Sequence, residues 1–435
     1  MTDILTLRKF EALSPFEIKD ELISLARKTS QTTQSAFLNA GRGNPNWVST
    51  TPREGFFLLG QFAITESKRV MEHPAGIGGM PQANGIAQRF EAWLAKHNDM
   101  PGADFLAAML EFAIARFGFD RDAFVHELVD SIIGDNYPVP DRMLVHNERI
   151  VHEYLMWAMC GEPKPAGKFD LYAVEGGTAA MCYIFKSLKA NRLLHPGDTI
   201  ALGTPIFTPY LELTHLEDYD LNVVHVQAPQ ENRFQYTDEE LKKLEDPNIK
   251  AFFIVNPGNP SGIGIDQETI GKIAKLVKTK RPDLMLLTDD VYGTFVHGFR
   301  SLLGELPQNT IGVYSYSKYF GCTGWRLGTI AIHEDNIFDK MIANLPDEHV
   351  QALDKRYGPL TLEPRKLKFI DRIVADSRDV GLNHTAGLSL PQQVMMSLFS
   401  LTEMMDTEKE YQKACMEIVN RRVWAMIESL ELELT

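Results

Sequence analysis

From residue 136 onward, short and almost wholly apolar runs alternate with amphipathic stretches of helix length. The runs LYAVEGG (171–177), DTIALGTP (198–205), NVVHVQ (222–227), AFFIVNPG (251–258), LMLLTDDVYG (284–293) and GVYSYSK (312–318) have the length and composition of strands. Helical segments such as QETIGKIAKLVKTK (267–280) stand between them. Strands without polar alternation, joined through helices, predict a mostly parallel sheet buried on both faces, an α/β domain.

Before residue 136 the spacing is helical. PFEIKDELISLARKTS (15–30), behind a Ser-Pro start, predicts an amphipathic helix. IAQRFEAWLAKH (86–97), FLAAMLEFAIARF (105–117) and AFVHELVDSII (123–133) predict three more, with breaks at PGAD and GFDRD. AGRGNPNW (40–47) is turn-rich and forces an irregular backbone, which either presents Arg42 to a cleft or is a plain surface loop. GIGG (76–79) follows no strand and reads as a flexible loop. EKEYQKACMEIVNRRVWAMIESLEL (408–432) predicts one long helix.

The 435 residues are about three times the soft prior for one domain, so two or more domains are expected. Hydrophobic residues at 44% and charged residues at 23% are the balance of a folded globular chain. A formal charge of −14 disfavours attraction to nucleic acid or an anionic membrane, so an anionic ligand needs a local basic site. Cys160, Cys182, Cys322 and Cys415 are scattered, without the spacing of a disulfide framework or zinc ribbon. With no export signal and no apolar run of membrane length, a cytoplasmic protein is expected. Dispersed histidines such as His146 and His152 give no metal-ligand spacing.

The chemistry gathers at strand ends. In YSYSKYFGCTGWRLG (314–328), Lys318 closes an apolar strand after Ser315 and Ser317 and precedes a glycine-rich turn with Arg326. A lysine desolvated there has a lowered pKa and can form a Schiff base; otherwise it is a solvated loop charge. LLTDDVYG places Asp289 three residues before Tyr292, and a strand-end carboxylate can pair with a protonated pyridine nitrogen. Asp290 is the alternative carboxylate, and a turn or cap is the structural one. AVEGGTAAM leads through Gly176, Gly177 and Thr178 into a helix whose free N–H groups can hold a phosphate.

Together with IVNPGNPSG (254–262) and GTPIFTPY (203–210), the segment around Lys318 resembles the SxSKxxxxxGxRxG signature of fold type I pyridoxal 5'-phosphate (PLP) enzymes, the aspartate aminotransferase superfamily. The resemblance implies that Lys318 holds PLP as a Schiff base and shuttles protons. It implies that Ser315, Ser317, Arg326 and the Gly176–Thr178 turn bind the phosphate, and that Asp289 meets the ring nitrogen. Tyr292 and Asn259 would reach the phenolic oxygen and Phe207 would stack on the ring. Tyr137 would reach the phosphate of a neighbouring subunit, implying a homo-oligomer, at least a dimer.

The implied organisation is an N-terminal small-domain segment (1–60), a helical insertion (61–135), a large PLP-binding domain (136–400) and a long helix (401–435). The insertion, Arg42, and the span from Gly328 to GLNHTAGLSLPQQ (381–393) resemble the aspartate 4-decarboxylase branch, which implies L-aspartate as substrate, L-alanine and CO2 as products, and transamination as a side activity. Arg42 would contact the leaving carboxylate or position Tyr137. Asn383 and His384 stand where ordinary aspartate aminotransferases carry an arginine. The α-carboxylate arginine would lie in a further C-terminal segment, for which this chain shows no candidate. The expectation from that is a kept cofactor site with impaired substrate binding and catalysis. The competing readings are an aminotransferase of another small amino acid, a non-catalytic PLP-binding sensor, and a truncated, inactive assembly partner.

Overall fold

The computed structural model of the chain describes residues 13, 15–33, 43–137, 140–216, 218–382 and 387–430. After the helices Pro15–Thr33 and Thr51–Val70, the first strands form a two-residue ladder, β1 (Glu72–His73) with β2 (Ile77–Gly78). The apolar runs then form β3 (Phe169–Val174), β4 (Thr199–Thr204), β5 (Asn222–Gln227), β6 (Ile249–Val255), β7 (Met285–Asp289), β8 (Thr310–Ser315) and β9 (Gly328–His333). These seven make one sheet in the order β3-β9-β8-β7-β6-β4-β5. β9 pairs antiparallel with both neighbours and every other pairing is parallel, so a single strand runs against the rest.

Every residue of β7, β8 and β9 is buried, as expected of strands covered on both faces. Successive side chains enter opposite cores: Ile330 and Ile332 pack with Tyr172, Ile184 and Ile373, while Ala331 joins Tyr314 and the helical block. Edge strand β5 is more exposed, the pattern of a half-covered strand.

The three predicted helices occur as Ile86–Lys96, Ala103–Phe117 and Arg121–Ile133. The helix Thr51–Val70 joins them, with Pro52 at its start, where a missing N–H costs nothing. Phe62, Phe90, Leu106 and Phe124 close the interior of this block, and the same core continues through Leu398 and Phe399 of helix Leu390–Met405 into the sheet. Asp122 accepts from the N–H groups of Gly85 and Ala87 at 2.7 and 2.9 Å and so caps a neighbouring helix. Those bonds hold its carboxyl below the usual range. The helices Thr51–Val70 and Leu390–Met405 run continuously through positions 60/61 and 400/401. GIGG is not a free loop: it supplies β2, and the Gly79 N–H is held by the Ser67 carbonyl at 2.9 Å.

Helix Leu390–Met405 carries Glu403, 0% exposed, which accepts from the Tyr319 hydroxyl at 3.0 Å. Burial pushes this carboxyl up to about 7. Since the folded pKa lies above the unfolded one, the folded state retains a proton that the unfolded chain has lost. Stability contributed by the neutral form is therefore complete below the unfolded pKa and declines as pH rises to about 7. Glu403→Gln, which stays neutral, is expected to gain on the parent between pH 5 and 8, by roughly 3 kcal/mol at most. Thermal midpoints of both proteins at the two pH values check this; a pH-independent difference would refute it.

Among the described residues, no helix is long and apolar enough to cross a membrane. Nor do three His, Cys, Asp or Glu side chains gather there as a metal site.

Candidate active site

Because β3, β4, β6, β7 and β8 run in one direction, their C-terminal ends share one edge of the sheet, where an α/β fold leaves a crevice. A cavity of about 420 Å³ lies there. Gly177 and Thr178 reach it after β3, Phe207 after β4, Asn259 after β6, Asp289 and Tyr292 from the end of β7, and Ser315, Ser317 and Lys318 from the end of β8. Arg326 enters from the turn leading into β9, whose reversed direction puts its beginning at this same edge.

Lys318 is half-buried, and its amine donates to the Gly43 carbonyl at 2.6 Å. Burial first and the Arg326 charge second hold this amine below its ordinary range, against an opposing pull from Asp289. More of it is therefore neutral, the form that can attack a carbonyl or accept a proton.

Asp289 is 6% exposed and accepts from the Tyr210 hydroxyl at 2.6 Å and the Val291 N–H at 3.2 Å. Burial nevertheless raises its pKa. The neighbouring Asp290 faces elsewhere, held by Thr288 at 2.6 Å and by Ser301, and burial pushes it up to about 7. Of the two carboxyls, Asp289 lines the cavity.

The anion-holding end is built on close approach. Gly176 has φ 93, and a Cβ there would lie 2.6 Å from an Arg326 guanidinium nitrogen. Helix Gly177–Ala190 starts beside it, and the first N–H groups of a helix have no partners within it. Ser315 donates to the Leu327 carbonyl at 3.1 Å and lies 2.9 Å from the Ser317 hydroxyl, which holds the two side chains together. Arg326 takes a left-handed φ of 56 and donates to the Thr323 carbonyl at 3.0 Å. A small phosphate ester with a cationic ring fits this donor set: unpaired N–H groups, two hydroxyls and a guanidinium at one end, a buried carboxyl along the floor and an amine at the other side.

The structure thus brings together Gly176, Gly177, Thr178, Phe207, Asn259, Asp289, Tyr292, Ser315, Ser317, Lys318 and Arg326. Tyr137 is 68% exposed and does not line this cavity. Arg42, Asn383 and His384 lie outside the described residues. Sequence reasoning missed Tyr210, although it is the second aromatic of the GTPIFTPY motif, and the Gly43 carbonyl, which no side-chain pattern could signal.

The profile of the class I and II aminotransferases matches residues 176–363. Over 416 residues the chain is 51% identical to the bifunctional aspartate aminotransferase and L-aspartate beta-decarboxylase of a Pseudomonas species, spanning 95% of this chain and 78% of that one. A probable aspartate/prephenate aminotransferase of Aquifex aeolicus is 27% identical over 61% of this chain and 67% of its own. The solved aspartate aminotransferase of Rhizobium meliloti superposes with a TM-score of 0.57 at 15% identity, over 97% of this chain and 75% of that one, a likeness of fold alone. With half its residues shared along nearly its whole length with the Pseudomonas protein, and its strand-end site within the matched profile, the chain belongs to the class I and II aminotransferase family, on the fold type I scaffold.

Proposed function

We propose that this protein is a PLP-dependent enzyme that converts L-aspartate to L-alanine and CO2, with aspartate transamination as a side activity. The observation that carries the chemistry is the meeting of the Lys318 amine and the Asp289 carboxyl in one cavity at the sheet edge. The substrate follows from the bifunctional Pseudomonas relative, 51% identical to this chain.

The residues fit the cofactor. Lys318 would hold it covalently. The Gly176–Thr178 turn, Ser315, Ser317 and Arg326 would take its phosphate. Asp289 would face its ring nitrogen, Tyr292 and Asn259 its phenolic oxygen, and Phe207 its face. When bound, PLP supplies an electron sink for the pair left at carbon by deprotonation or by loss of CO2.

Asp289, fixed by Tyr210 and the Val291 N–H, holds a proton at that nitrogen, and its burial makes the pairing strong. Lys318, with its pKa lowered by burial and by Arg326, takes the proton from the substrate Cα and returns protons after the β-carboxyl leaves. Arg42, next in sequence to the Gly43 that meets the Lys318 amine, is the proposed cation for the leaving carboxylate. Tyr137, exposed on its own subunit, is proposed to serve the site of a second copy, so the working unit is at least a homodimer. Four free cysteines are in keeping with a cytoplasmic home.

Incubating the cofactor-loaded protein with L-aspartate and no keto acid is expected to give L-alanine and CO2 in equal amounts, at the reduced rate expected where no arginine for the α-carboxylate is found. Strict dependence on an added keto acid, with no CO2 released, would reassign the protein as an ordinary aminotransferase.

A further inference from the structure

The turn that follows Lys318 is held by groups that never reach the cavity. It closes on itself through the Gly321 N–H on the Lys318 carbonyl at 3.2 Å and the Cys322 N–H on the Ser317 carbonyl at 3.0 Å. The three carbonyls beyond Lys318 point away and are all taken from outside the turn. That of Tyr319 accepts from the Trp47 indole N–H at 3.0 Å and the Tyr411 hydroxyl at 2.8 Å. That of Phe320 accepts from the Ser49 N–H and from Arg53, both at 3.2 Å, and that of Gly321 from Arg53 at 2.9 Å.

Arg53 sits in the first turn of helix Thr51–Val70, with its guanidinium 5.2 Å from the centre of the Phe399 ring. Half-burial among these groups pulls its pKa down, the cost of placing a cation where it meets carbonyl dipoles rather than a carboxylate. Gly321, at φ 57, lies so close to the Trp47 carbonyl that a Cβ would collide with it. The stretch of chain from Gly43 to Arg53 therefore grips both ends of the lysine: its amine through the Gly43 carbonyl, and the backbone after it through Trp47, Ser49 and Arg53.

We propose that Arg53 and Trp47 are positioning residues that set where the Lys318 amine stands. The inference rests on the reading that Lys318 carries the cofactor. A lysine stem is flexible, so the reach of its amine is decided by the backbone at its root. Neither Arg53 nor Trp47 lines the cavity, which leaves the turn as their route to the chemistry. A planar guanidinium holds its N–H donors in a rigid fork that can fix two successive carbonyls, whereas the rotatable donors of an ammonium on a flexible stem fix them less well.

The test uses the full, cofactor-loaded chain as parent, Arg53→Met, Arg53→Lys and Trp47→Phe. It reads kcat and KM for L-aspartate and the induced circular dichroism of the bound cofactor. Displacing the amine by about 1 Å is expected to lower kcat of Arg53→Met about tenfold to hundredfold, with KM within about twofold. The dichroic band should weaken while the share of protein trapped by borohydride at Lys318 stays the same. Arg53→Lys should recover part of both losses, and Trp47→Phe, which loses the one indole N–H on the Tyr319 carbonyl together with part of the ring, should show a smaller loss of the same kind. A folded Arg53→Met with parental kcat and dichroism, or with kcat kept and KM raised, would overturn the proposal. Should Arg53→Met fail to fold, Trp47→Phe decides on the same readouts. A parent with no cofactor on Lys318 would instead overturn the underlying functional reading, and the positioning role with it.

Discussion

Lys318→Ala is expected to lose essentially all turnover of L-aspartate, at least about 10⁴-fold in kcat, while still taking up PLP from solution. The amine is the group placed to accept a proton from the substrate, and a positioned acid or base alone contributes about 10²- to 10⁴-fold. Its partly desolvated position beside Arg326 keeps it reactive near neutrality, and its loss removes covalent capture together with proton transfer. The anion-holding end does not depend on it: Gly176, Arg326, Ser315 and Ser317 are fixed by their own turn and strand contacts. Steady-state release of CO2, alongside equilibrium binding of PLP, checks both halves. Turnover within about tenfold of the parent would remove Lys318 from the mechanism.

Asp289→Asn is expected to cost about 10²- to 5 × 10³-fold in kcat/KM, corresponding to the roughly 3–5 kcal/mol lost when one member of a buried charge pair is removed. The carboxyl is nearly inaccessible, and Tyr210 and the Val291 N–H keep it aimed at the cavity. An amide of the same shape can retain the Tyr210 contact but carries no charge to keep a ring nitrogen protonated. Asp289→Glu should recover part of the activity. Asp290→Asn offers the contrast: that carboxyl is engaged by Thr288 and Ser301 away from the cavity, so its replacement should spare catalysis relative to Asp289→Asn. Comparing kcat/KM of the variants separates the two aspartates. Equal losses at both positions would contradict the assignment of Asp289 to the ring nitrogen.

The parts of this site that were legible in the sequence share one physical origin. Lys318, Asp289, Gly177 and Asn259 each follow an apolar run, and a polar residue at the end of a buried parallel strand has little choice but the crevice at the sheet edge. The helices of the block were legible wherever apolar spacing was clean, as in Ile86–Lys96. Thr51–Val70 was not, because Gly55 and Gly60 dilute its pattern, yet it buries Phe56, Leu59 and Phe62. GIGG read as a loop because two-residue strands carry no period to detect.

The contacts that hold the site in place were out of reach for another reason. Tyr210 with Asp289, Gly43 with Lys318 and Arg53 with Gly321 join residues 79, 275 and 268 positions apart. Two of these involve main-chain carbonyls, which every residue possesses and no motif can mark. Long-range backbone pairing of this sort is fixed by the packing of the helical block on the sheet, not by local pattern.

The most direct test that Lys318 carries the cofactor is to load the protein with PLP, reduce it with borohydride, digest it and locate the pyridoxyl group by mass. One modified residue, Lys318, is expected, with the adduct abolished in Lys318→Ala. A stoichiometric adduct on any other lysine, or none at all from a protein that binds PLP, would contradict it.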